Sequence, residues 1–199
     1  MNFRLIETMR VSESGEVFLL NRHLDRLSRS SDFFSFSCDV PQIRRSIAVA
    51  AQPDTSLRLT LSKDGELTLE CKPLPQGRAE RLILSSVRVN SSDEFLYHKT
   101  TNRAVYDAAL RECDERTDAI LVNERGEITE TTITNIAVSR VDRWITPHVS
   151  CGLLSGVMRE ELLSRGDITE GVVFASELQR GESVRCFNAV RGVFDVVFS

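Results

Sequence analysis

The chain has 199 residues, of which 41% are hydrophobic and 27% charged, and its formal net charge is −4. That is enough chain for one large domain or two small ones around a real core. The charges are interleaved with no basic stripe, which weighs against nucleic acid and against an anionic membrane surface. The five cysteines are odd in number, widely spaced and lack any CxxC pair. A disulfide framework or zinc site is therefore not expected, and a reducing cytoplasm is. No run approaches a membrane span, and the opening residues lack the apolar core of a signal peptide.

In chain order, Phe3 to Val11 is β-rich and with Val17–Leu20 reads as a hairpin turned at Ser12–Gly15. Asn21 then caps a helix with Leu24, Leu27, Ser31 and Phe34 on one face and Arg22, Asp25, Arg26 and Arg29 elsewhere. A second helix is expected from Pro41 to Ala51, with the proline in its first turn. Leu57–Leu61 and Glu66–Glu70 alternate with a period of two around Lys63-Asp64-Gly65, a clear hairpin. Lys72 to Gly77 is dense in proline and glycine and marks a domain boundary.

Beyond it, Leu82–Val89 reads as a strand, and a helix after Asn102 turns Val105, Ala109 and Leu110 inward. Ala119–Val122 is a buried strand ended by a turn over Asn123–Glu127. Ile133–Val138 and Arg143–Thr146 are further strands, and Gly156–Ser164 is a helix stopped at Arg165-Gly166. The β-rich segments Ile168–Phe174, Glu182–Phe187 and Val190–Phe198 close the chain. The order fits an α+β, or mixed α/β, protein of two unequal lobes: a smaller one over 1–77 and a larger, β-rich one over 78–199.

Chemistry that needs a primary amine has only Lys63, Lys72 and Lys99 to draw on. Lys63 sits in a turn and Lys72 at a strand end before Pro73. Lys99 follows Phe95-Leu96-Tyr97-His98 and precedes Thr100-Thr101-Asn102. It is either a surface lysine ahead of a helix cap or an amine activated for condensation with a carbonyl. Glu130 lies in a hydroxyl-rich run entering an apolar strand, either a polar strand edge or a carboxylate that needs a partner such as a protonated ring nitrogen. Leu153-Leu154-Ser155-Gly156-Val157-Met158-Arg159 opens a helix and is either a plain cap or an anion site. Asn188 and Arg191 sit in a turn between two apolar strands. His23, His98 and His148 are dispersed, so no metal site is expected.

These segments, in this order, resemble the class IV aminotransferase family, the fold-type IV pyridoxal-phosphate enzymes. His98-Lys99-Thr100-Thr101-Asn102-Arg103 is similar to its Schiff-base segment, Asn123 to Glu130 to its ring-nitrogen segment, and Gly152 to Arg159 to its phosphate segment. Ile6-Glu7-Thr8-Met9-Arg10-Val11 and Phe187-Asn188-Ala189-Val190-Arg191-Gly192 resemble the aminodeoxychorismate lyase branch, including the lyase-like domain fused to para-aminobenzoate synthase component I.

The resemblance implies pyridoxal 5′-phosphate bound covalently by Lys99, with Glu130 on the pyridine nitrogen. It implies phosphate contacts from Arg26, the Val157 and Met158 amides, Asn188 and the Ala189 amide. Spacing alone would favour an exposed helix position for Arg26. Arg88, Arg103 and Arg191 are candidates for the carboxylates of a small-molecule substrate. The implied activity is a lyase releasing para-aminobenzoate and pyruvate for folate synthesis. The alternatives are an aminotransferase of D-amino-acid or branched-chain type and a non-catalytic cofactor-binding relative. The resemblance also implies a homodimer. Two departures stand out: Met158 lacks the hydroxyl some relatives place there, and Ile6 stands where D-amino acid transaminases tend to carry a tyrosine.

Overall fold

The computed structural model describes residues 3–199, so the first two residues of the segment tested for a signal peptide lie outside the described residues. The chain forms two compact units. One runs to Gln76 and takes in His98–Asn102; the other comprises Gly77–Tyr97 and Arg103–Ser199. The reading from sequence drew a single boundary after Gly77, whereas five residues of later chain pack with the first unit. No helix among the described residues is long and apolar enough to cross a membrane.

In the first unit, β1 (Leu5–Arg10), β2 (Thr55–Leu61) and β3 (Leu67–Pro73) form an antiparallel sheet in that order, packed with α1 (Leu20–Phe34) and α2 (Val40–Ala50). The β2–β3 hairpin pairs Leu61 with Leu67 across the Asp-Gly turn, as its period-two pattern predicts. Leu57, Leu59 and Leu61 face a core that holds Leu5, Met9, Leu24, Leu27 and Ile47. Asp39 caps α2 by accepting the Gln42 N–H at 2.8 Å.

Two local expectations change. The Ser12–Gly15 turn forms, but its second arm makes one bridge, Val11 to Val17, before the chain enters α1. The strand partner of β1 is instead β2, far along the chain. Helix α1 starts from Leu19 in left-handed backbone with no side-chain cap, so Asn21 lies inside the first turn rather than capping it.

In the second unit, an eight-stranded sheet runs β6-β5-β4-β11-β10-β7-β8-β9. These strands are β4 (Arg81–Val89), β5 (Thr117–Asn123), β6 (Ile128–Thr131), β7 (Asn135–Arg140), β8 (Arg143–Pro147), β9 (Thr169–Gly171), β10 (Ser183–Asn188) and β11 (Gly192–Phe198). β4 is parallel to β5 and β11, β8 is parallel to β9, and the remaining pairs are antiparallel.

Helices α3 (Ala104–Leu110) and α4 (Val157–Arg165) complete the unit. β5 is covered on both faces: Ile120 and Val122 join one apolar cluster, Ala119 and Leu121 another with Tyr106 and Ala109. That is why the strand reads as a continuous apolar run.

Here too the structure differs in places. Tyr106, not Leu110, turns inward from α3; Leu110 is 50% exposed. The strand expected from Ile133 begins at Asn135, and β6 precedes it. The Thr131 N–H bonds the Thr134 carbonyl at 2.9 Å and the two hydroxyls meet at 2.8 Å, closing a tight turn that leaves Ile133 exposed.

Candidate active site

Lys99 is half-buried, and its backbone is fixed by β1. Its carbonyl accepts the Ile6 N–H at 2.8 Å, Thr100 bridges Leu5, and the Thr101 N–H donates to the Arg4 carbonyl at 2.9 Å. The His98 ring packs on Phe33 and Phe34, with Nδ1 2.9 Å from Ser30 Oγ. Alternation along β1 and its pairing with this segment set the chain beside Glu7, which is only 2% exposed.

Arg26 donates to Glu7 through Nε at 2.8 Å and Nη2 at 2.6 Å, and His23 Nδ1 lies 2.6 Å from the same carboxylate. Although burial opposes its charge, Arg26 and His23 hold the Glu7 carboxyl down at about 2. Burial pushes the His23 imidazole below its ordinary value, against the pull of Glu7, and the Arg26 and Lys99 charges add to the depression. Arg26 is thus 6% exposed on the flank that local spacing assigned to solvent. A forked pair with a carboxylate from another element makes that burial tolerable.

In the second unit, Glu130 is 5% exposed on β6. The Tyr106 hydroxyl donates to it at 2.7 Å, Asn135 Nδ2 at 3.1 Å and the Leu154 N–H at 3.1 Å. Burial, with the Glu130 charge next to it, raises the Tyr106 hydroxyl well above its ordinary value, so it remains a donor. Asn135 Nδ2 also donates to the Leu154 carbonyl at 2.8 Å, tying β7 to the approach to α4. Helix α4 starts at Gly156 without a side-chain cap, so amides of its first turn are presented as backbone donors. Val157 and Met158 are buried in that turn.

Asn188 closes the β10–β11 turn: its Oδ1 accepts the Val190 and Arg191 amides at 3.0 and 2.8 Å, and Nδ2 donates to the Ile133 carbonyl at 3.2 Å. Ala189 beside it is buried. Arg103 donates to the Thr132 carbonyl at 2.6 Å and lies over the Tyr106 ring. Arg191 donates to the Gly77 carbonyl at 2.5 Å, and burial lowers its basicity. Arg88 is exposed.

Glu7, His23, Tyr106 and Asn135 were not singled out from sequence. A signal existed for Asn135, which ends the hydroxyl run that begins beside Glu130; the others depend on contacts between distant elements. Each unit carries distinct chemistry: in one, an amine suited to carbonyl condensation beside a buried ion-paired cluster. In the other, a buried carboxylate suited to a protonated nitrogen base is joined to a helix start suited to an anion.

Residues 4–197 match the amino-transferase class IV family. A Schizosaccharomyces pombe protein named "Putative aminodeoxychorismate lyase" is 37% identical over 195 residues, covering 90% of this chain and 83% of its own. A Mesorhizobium loti structure titled as a "Putative amino-acid aminotransferase" is 33% identical with a TM-score of 0.91, covering 99% of this chain and all of that one. The structure of 4-amino-4-deoxychorismate lyase from Pseudomonas aeruginosa shares the fold with a TM-score of 0.86 at 22% identity, over 98% of this chain and 82% of that one. The family is pyridoxal-phosphate-dependent. The chain belongs to the class IV aminotransferase family.

Proposed function

We propose that the protein is a pyridoxal-phosphate-dependent aminodeoxychorismate lyase, converting 4-amino-4-deoxychorismate to para-aminobenzoate and pyruvate for folate synthesis. One observation carries this reading. A buried, donor-held carboxylate at Glu130 adjoins an uncapped helix start, in a chain 37% identical to a relative named for that reaction.

The residues suit the cofactor. An acceptor-only carboxylate fits a protonated ring nitrogen, and first-turn amides fit a phosphate. Gly156 leaves no room for a side chain at that helix start, since a Cβ would lie 2.0 Å from Asn135 Oδ1.

Bound pyridoxal phosphate supplies an electron sink for the charge left when a carbon–hydrogen bond breaks beside the substrate amine. Lys99 would hold the cofactor through Nζ. Displaced by the substrate amine, it would take the proton from the amine-bearing carbon. Glu130 would keep the ring nitrogen protonated, with Tyr106 and Asn135 fixing its carboxylate. The Val157 and Met158 amides and Arg26 would bind phosphate, Arg26 being oriented by its fork on Glu7. Asn188, whose side chain shapes its own turn, would act by aiming the Ala189 amide. Pyruvate then leaves from the neighbouring carbon and the ring becomes aromatic, so the site mainly needs orientation and one base. Arg103 and Arg191 are the better-anchored candidates for the substrate carboxylates, Arg88 the more exposed one. We also propose a cytoplasmic homodimer.

The second reading, an aminotransferase, is favoured by the 33% identical Mesorhizobium loti chain. Release of pyruvate and para-aminobenzoate from aminodeoxychorismate without a keto-acid acceptor, abolished in Lys99→Ala, supports the lyase. Turnover only when a keto acid is added supports the aminotransferase. Neither turnover, with cofactor still bound, would leave the protein a non-catalytic relative.

A further inference from the structure

The geometry around Asn135 points to a role beyond those assigned above. We infer that Asn135 is a positioning residue that locks the Glu130 carboxylate and the amides opening α4 into one rigid group, so that the ring and phosphate ends of the cofactor are gripped at a fixed separation. The inference rests on the cofactor reading for those two groups, but the lock itself is a property of this chain.

Asn135 is the first residue of β7, 6% exposed, and its neighbour Ile136 pairs with Cys186 in the sheet interior. Its backbone is therefore held by the sheet while its side chain reaches sideways. Nδ2 has two hydrogens, and both are used: one on Glu130 Oε2 at 3.1 Å, the other on the Leu154 carbonyl at 2.8 Å. The Leu154 N–H returns to Glu130 Oε1 at 3.1 Å, closing a ring of Glu130, Asn135 and Leu154. Oδ1 takes up the space a Cβ on Gly156 would need. One amide group thus touches the carboxylate, the loop before the helix and the helix cap. Thr or Ser is too short to span these partners, and an ionised Asp offers no donor and sets an anion against Glu130.

The test uses Asn135→Ala and Asn135→Asp in the full chain, with Gly156→Ala as a reciprocal variant that leaves Asn135 in place but crowds its Oδ1. The first readout is amide hydrogen exchange without added cofactor. Amides of Leu154 and Glu160, which donate to Glu130 and to the Gly156 carbonyl, should exchange roughly tenfold faster in each variant, the scale of losing one or two hydrogen bonds, while β5 amides hold their wild-type rates. The second readout is the pH titration of the visible absorbance of added pyridoxal phosphate. Its midpoint should move in Asn135→Asp, where an anion faces Glu130, further than in Asn135→Ala.

Unchanged exchange at Leu154 and Glu160 would overturn the lock. So would a uniform rise that includes β5, because that marks general destabilisation. If Asn135→Ala does not fold, Asn135→Asp, which keeps the side chain's shape, decides on the same exchange pattern. Wild-type protein that develops no visible absorbance with pyridoxal phosphate would sink the cofactor reading, and the exchange data would still judge Asn135.

Discussion

The two units hold a buried carboxylate each and treat it in opposite ways. Glu7 is met by a guanidinium and an imidazole, so its charge is neutralised where it stands. Around Glu130 a phenol, a carboxamide and a backbone amide donate, and these three orient the carboxylate from separate elements. The first arrangement suits a group whose task is to hold a neighbour, Arg26. The second holds a carboxylate in a set orientation, as the proposed ring-nitrogen partner would need. Burial alone does not separate them, since both carboxylates are nearly inaccessible. The chemistry of these donors does.

The largest effect should come from Lys99→Ala. Loss of the amine should abolish the visible absorbance of bound pyridoxal phosphate and reduce turnover by about 10³-fold or more. Product assays and absorbance spectra check both parts, and retained absorbance would break the assignment of the first unit.

Next in size is Glu7→Gln, which takes the forked carboxylate charge from a buried guanidinium. Stability should fall by about 3–5 kcal/mol, read from denaturant melts. The pH dependence sharpens the same point. Both Glu7 and His23 have folded-state values below their ordinary ones, so the unfolded chain binds protons more readily at each. Stability should therefore decline with acidification below the ordinary imidazole value of 6.5, and again from 4.5 towards about 2 as Glu7 is protonated. Glu7→Gln should flatten the lower of those two declines, and melts from pH 8 to 2 would show whether it does.

On the Glu130 side, Tyr106→Phe keeps the ring packed and removes one neutral donor. A drop of about tenfold in turnover is expected, with little change in melting, because one hydrogen bond is worth about 1 kcal/mol. A loss as severe as that of Glu7→Gln would show that the hydroxyl does more than orient. Smallest of all, Arg88→Ala should leave KM within about twofold and stability within about 0.5 kcal/mol, as befits an exposed side chain. A large rise in KM would return Arg88 to the front of the substrate-binding candidates.

Much of this was legible in the sequence where local pattern and tertiary role coincide. The β2–β3 hairpin announces itself by strict alternation around Asp-Gly, and α4 by its flanking glycines. The run holding β6 was read as a polar strand edge, but its separation from β7 and its full burial were not legible, because its four residues show no alternation. Arg26 misled for a related reason. Helical spacing knows nothing of Glu7, which reaches it from β1, nineteen residues earlier in the chain. The failed hairpin at the start had sound turn chemistry in Ser12–Gly15, yet the longer-range claim of β2 on β1 won. Elimination among three lysines left Lys99 an open choice between a surface group and an activated amine, and its place against β1 needed the fold.

That place has a consequence for how the polypeptide is made. The outer edge of β1 takes its hydrogen bonds from residues 99–101, so it stays bare until those residues have been translated. Everything else in that unit has by then been translated, down to Gln76. The proposed cofactor lysine therefore arrives on the last segment of its unit to be made, and that segment covers an edge of a sheet whose three strands are already translated.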